Sequence, residues 1–126
     1  MKTLLLFPLF ALAIYGADVT GKWTGKIEVT DPTGENKFST PVKAEFHQKE
    51  AAISGKIGRA EDQDNEPIRN AKLEDKRLSF EVQTPEATSP MKFSLVLLSD
   101  DHIEGEMKGA LDVGNISGKV ILHKVK

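Results

Sequence analysis

Three histidines, an acidic run and a single tryptophan carry most of the chemical scope of this sequence. His47, His102 and His123 each fall on the polar side of an apolar–polar alternation. All three are therefore expected on the outer faces of strands. No two have the spacing of zinc ligands, and no cysteine exists to complete a set. The run Glu61-Asp62-Gln63-Asp64-Asn65-Glu66 alternates Asp62, Asp64 and Glu66, which offers oxygen ligands for calcium. It lacks the glycine and the distal glutamate of an EF-hand loop, so a solvated loop is the expectation. Arg59 and Arg69 flank it, and ion pairs there are worth little if exposed. No Gly-x-Ser-x-Gly elbow occurs. Gly55-Lys56-Ile57-Gly58 lies in a strand pattern with no helix after it, so it is not a phosphate-binding loop. Glycoside hydrolysis needs two carboxyl groups converging in a cleft, whereas the acids here sit outward or in turns. The expectation is a chain that is not an enzyme and takes no metal and no cofactor.

Composition narrows the class further. The chain has 126 residues, one domain's worth, with 17 basic and 19 acidic side chains. A nucleic-acid binder gathers a basic excess on one face, and none is visible. Met1-Lys2 followed by the apolar stretch 3–14 and the small residues Gly16 and Ala17 has the layout of a secretory signal. The expected division is a signal peptide over 1–16, cut after Gly16 or Ala17, and one domain over 17–126; a retained N-terminal anchor helix is the alternative. Nothing in the body has the apolar length of a spanning helix. Export without a disulfide points to the bacterial periplasm or to secretion.

The body alternates with period two almost throughout. Trp23, Gly25, Ile27 and Val29 share one face; Phe38, Thr40, Val42, Ala44 and Phe46 share the next. Pro41 interrupts a ladder and marks an edge-like or bulged segment. Ile53, Gly55 and Ile57 follow, then the aperiodic stretch 58–67. Ile68 and Leu73 are five apart, so a bulge near Asn70 is needed to bring them to one face. Leu78, Phe80 and Val82 precede the loop 84–90; Met91, Phe93, Leu95 and Leu97 come next, with Val96 and Leu98 on their outer side. Ile103, Gly105 and Met107, then Ile116, Gly118, Val120 and Leu122, close the series. Turn residues fall at 31–34, 49–50, 74–77, 99–101 and 112–115. About eight short strands with tight connections predict an all-β, antiparallel up-and-down meander.

One unit recurs in these strands: Trp23-x-Gly25-x-Ile27, Ile53-x-Gly55-x-Ile57, Ile103-x-Gly105-x-Met107 and Ile116-x-Gly118-x-Val120. Each glycine falls on the inner face between bulky neighbours. Glycine there supplies the bend by which a sheet closes on itself, so a barrel is expected over a flat sandwich. An eight-stranded barrel is filled by side chains or holds one small ligand. At ~1.5–3 kcal/mol per buried large side chain the inward set can hold the fold, and volume alone leaves both fillings open.

Gly21-x-Trp23 at the start of the first strand resembles the lipocalin signature. That resemblance implies that Trp23 plugs the closed end of the barrel, with Lys124 the nearby basic residue by strand parity. It further implies that a hydrophobic ligand enters from the opposite end. The Thr-Asp-Tyr motif of that family and its C-terminal helix are absent from this sequence. The opening Gly-Lys-Trp-Thr-Gly is also similar to small exported proteins of soil bacteria, a likeness that implies no activity.

Three functions are weighed from these residues, and the first is the expectation, with the second as its alternative. The first is a binding protein that holds a small hydrophobic ligand in a lumen lined by Trp23, Phe46, Phe80, Phe93 and Met107. The second is a filled barrel that binds another protein through loops 58–67 and 84–90, as an inhibitor or envelope accessory. The third, a hydrolase or isomerase, would have only Thr40 and Asn70 as polar inner groups.

Overall fold

The computed structural model describes residues 18–126 except 51, 64, 86, 112 and 113. The expected signal segment lies outside them. The strands are β1 (Gly21–Thr30), β2 (Lys37–Lys49), β3 (Ala52–Arg59), β4 (Glu66–Pro67), β5 (Arg69–Glu74), β6 (Arg77–Val82), β7 (Met91–Ser99), β8 (His102–Leu111) and β9 (Gly114–Lys124). They form one antiparallel sheet in the order β4-β3-β2-β1-β9-β8-β7-β6-β5. First and last strands pair from Trp23↔Lys124 to Thr30↔Ser117. The sheet is a nearly closed barrel, and no helix occurs among the described residues.

The strand count is nine rather than about eight because one run of chain serves two neighbours. Glu66 and Pro67 pair with Ile57 and Lys56 of β3. The Ile68 N–H then donates to the Gly55 carbonyl at 3.0 Å. Beyond it, Arg69–Glu74 pairs with β6, with a register shift between Arg69 and Lys72. Asn70 takes φ 52 within that shift, which is the bulge that the spacing of Ile68 and Leu73 requires. The kink lets a single segment leave one edge of the sheet and join the other.

Pro41 sits where the β2–β3 ladder stops: Val42↔Arg59 is the last pair toward the loop end. The Pro41 carbonyl accepts from the Ala60 N–H at 3.0 Å. Its missing N–H therefore falls where no ladder donor is needed. Beyond it the β1–β2 hairpin runs on without β3, which leaves Phe38 55 % exposed although its parity points inward.

The glycines are where strands crowd. A Cβ on Gly25 would collide with the Ile121 backbone carbonyl, and one on Gly105 with the Ser94 carbonyl. Inside, the inner faces merge into one core, with no polar or charged residue buried among the described residues. Val42 and Ala44 are buried as their shared face implies and Val19 joins them, while Val29, Ile53 and Ile116 are only partly buried. Alternating direction puts the connections after Lys49, Glu74 and Ser99 at the Trp23 end and those after Thr30, Arg59, Val82 and Leu111 at the other.

Candidate functional site

The five expected lumen residues come together. Trp23, Phe46, Phe80, Phe93 and Met107 are all buried in the same core. Phe80 and Phe93 stack with centroids 4.7 Å apart and planes 15° apart. Phe46 meets Phe80 at 5.8 Å and 56°. Both are favourable ring geometries.

Trp23 is fully buried and is held by contacts that the strand pattern did not reveal. Its indole N–H donates to the Val19 carbonyl at 2.9 Å. The Val19 N–H donates to the Gln48 side-chain carbonyl at 3.0 Å, and the Gln48 N–H to the Thr20 hydroxyl at 3.0 Å. These bonds hold Val19, fully buried, in the core beside Trp23. The only signal for it in the sequence was one apolar residue before a strand, which has no period to read. Lys124 Nζ stands 5.7 Å from the Trp23 ring centroid.

Both expected binding loops are fastened to the barrel. In 58–67, Arg59 donates to Asp62 at 3.1 and 3.4 Å and lies 3.9 Å from Glu61. Asp62 is thereby committed to a cation of the protein itself. Asp64, the middle member of the expected calcium set, lies outside the described residues. No group of three or more His, Asp or Glu side chains is arranged to hold a metal among the described residues. In 84–90, the Thr88 N–H and hydroxyl both donate to the Ala110 carbonyl, at 3.0 and 3.2 Å. The Gln83 amide donates to the Thr84 and Ala87 carbonyls. Both loops stand at the end opposite Trp23.

The remaining polar candidates do not converge. The Asn70 amide donates outward to Glu81 at 3.2 Å, and Thr40 is half-buried on β2. His47 is exposed on β2, 3.6 Å from Glu45. His102 and His123 are directly opposed on β8 and β9 and stack at 4.6 Å and 22°. Sequence spacing concealed that pair, because their proximity is a matter of register. Glu104 Oε2 is 2.8 Å from His102 Nε2 without the alignment of a hydrogen bond.

Among the surface concavities, two adjoin each other, and a third lies apart between Glu45, His47, Lys56 and Pro67. The first of the adjoining two is a trough on the outer face of β2, β1, β9, β8 and β7. Its lining includes Phe38 and Leu98, two of the three large apolar side chains left exposed among the described residues. Leu98 faces outward by strand alternation, and the register shift between Leu97 and Ser99 leaves it without a cross-strand partner on β8. Glu28, Lys119 and Glu106 cross the trough as a complementary row. The second concavity lies at the loop end, between the Asp31–Gly34 turn and Ser89–Pro90. Comparison with protein-family models, with curated proteins and with solved structures returned no match.

Proposed function

We propose that the mature chain is an exported, non-enzymatic binding barrel, filled inside, that engages a protein partner on its outside. The observation that carries this reading is the ring-on-ring packing of Phe46, Phe80 and Phe93 at the centre of the barrel. A ligand in the lumen would have to displace those contacts, and well-packed interiors yield space only at a cost of several kcal/mol, about 2–5 for each large side chain moved. The outer trough offers what the lumen does not: exposed Phe38 and Leu98 as anchors, with charges of both signs between them. The fastened loops 58–67 and 84–90 extend a preorganised surface at the Phe38 end.

A photo-crosslinking side chain placed at 38, at 98, in each loop and, as a control, at 22 tests the reading in envelope extract. The same partner captured at 38 or 98 and in a loop, but not at 22, and lost in Phe38→Ser/Leu98→Ser, is the expected result. Equal capture at all sites, or capture indifferent to the double substitution, rejects it.

A second reading, a small apolar ligand in the lumen, is favoured by the rim at the loop end. There Val29, Met91 and Ile116 are only partly buried. Native mass spectrometry of the purified mature chain separates the two. A stoichiometric small molecule supports the lumen; a bare mass at either expected N-terminus supports the filled barrel.

A further inference from the structure

We infer that Lys92 and Lys108, at the loop end of the barrel, form a binding site for an oxyanion carried on a short apolar body. The inference starts from an exception in the charge pattern. Directly opposed charged residues in the sheet are otherwise of opposite sign: Lys22↔Glu45, Glu28↔Lys119, Glu45↔Lys56, Arg69↔Glu81, Glu74↔Arg77, Glu81↔Lys92 and Glu106↔Lys119. Lys92↔Lys108 alone sets like charges face to face among the described residues. Such a pair weakens a sheet unless something neutralises it.

Among the described residues no ion pair does so. Glu81 is opposite Lys92 on β6 but also faces Arg69 and accepts from the Asn70 amide, and Glu106 faces Lys119. No carboxylate lies within 4.0 Å of either ammonium among the described residues. Asp31 lines the same concavity, but its carboxylate is taken up by the Thr33 hydroxyl at 2.7 Å, the Gly34 N–H at 3.0 Å and the Asn36 amide at 2.8 Å. Among the described residues no acid holds either ammonium, so both can turn toward a ligand.

The concavity supplies the rest. Thr30 and Ser117 continue the lysine row across β1 and β9 and bring hydroxyl donors. Pro32, Pro90 and Ile116 wall it with apolar surface. Two cations and two hydroxyls suit a sulfate, phosphate or carboxylate, and the apolar wall suits a short chain or ring attached to it. The site stands on these residues whether the interior is filled or hollow.

Amide chemical-shift titration of the mature chain tests it, using hexyl sulfate, hexyl phosphate and hexanoate in parallel arms, with inorganic sulfate and hexanol as the two half-ligands. At least one hexyl anion is expected to shift the amides of 92, 108, 109, 116 and 117, and the strongest arm names the head group. Each half-ligand alone is expected to bind about tenfold more weakly or worse. Lys92→Gln/Lys108→Gln is expected to lose about tenfold in affinity, while Lys92→Arg/Lys108→Arg keeps most of it. Both variants are exposed-site changes, and a retained spectrum elsewhere checks their folding. Binding by hexanol equal to that of the anions, binding unchanged in the glutamine variant, shifts centred elsewhere, or no shifts in any arm would each overturn the site.

Discussion

The ammonium of Lys124 lies 5.7 Å from the centre of the Trp23 ring, across the one ladder that joins the first strand to the last. Strand parity alone places these two side chains on the same face. The barrel closure converts that shared parity into contact, and the contact caps a fully buried indole. Trp23→Ala should cost about 3–5 kcal/mol of stability, through lost burial and the cavity left behind. Trp23→Phe should cost less, about 1–3 kcal/mol, chiefly because the Val19 carbonyl loses its donor inside the core. Lys124→Met should cost at most about 1 kcal/mol. Urea denaturation of the three variants checks the order; an equal loss for all three contradicts it.

Two glycines should be intolerant for reasons of space and a third for reasons of backbone angle. In Gly25→Ala and Gly105→Ala the new methyl meets a neighbouring strand's carbonyl, which cannot swing aside without breaking its ladder. Each should lose about 2–3 kcal/mol or more. Gly34 has open space around it and φ 79, so Gly34→Ala should lose only about 1 kcal/mol, from left-handed backbone strain. Thermal unfolding of the three proteins gives the comparison.

The turn at Asp31 should loosen in acid. Hydrogen bonds from the Thr33 hydroxyl, and then from the Asn36 amide, hold the Asp31 carboxyl below the usual carboxylate range. A depressed folded value means that the ionised carboxylate favours the folded turn. That contribution is present above the ordinary value of about 3.9 and fades as pH falls through the lower folded one. Hydrogen exchange at the Gly34 amide should therefore speed up, relative to strand amides, as pH falls below about 4. Asp31→Asn should flatten that relative change; a dependence that survives the substitution assigns it elsewhere.

One turn leaves stability to be gained. Glu50 connects β2 to β3 with φ 59, a left-handed angle that a glutamate side chain adopts at a cost of about 1–2 kcal/mol. Asparagine tolerates it better. Glu50→Asn should raise stability by about 0.5–1 kcal/mol, read as a higher melting temperature with no change in the spectrum of the barrel.

Much of the fold was legible because a strand writes its two faces into the sequence directly. The alternation around Ile27, Phe80 and Leu95 marked the core, and the odd spacing of Ile68 and Leu73 marked the kink at Asn70. Pro41 marked the end of a ladder. Val19 was not legible, since a lone residue before a strand carries no period. Phe38 was misplaced by its own parity, because exposure there depends on how far the neighbouring strand extends. The concavity at Lys92 was illegible for a related reason: both lysines lie on the polar face, as the alternation says, and only register sets one opposite the other.

The sequence by itself determined which side of each strand faces inward, where the chain turns and where it bends, since those follow from side-chain type at a period of two. Tertiary structure alone decided which strands meet across the closure, that Phe46, Phe80 and Phe93 interlock at the centre, and that His102 faces His123 while Lys92 faces Lys108. These are consequences of stagger between strands distant in the chain. A shift of a single residue in one ladder would give every side chain a new partner without altering a letter of the sequence.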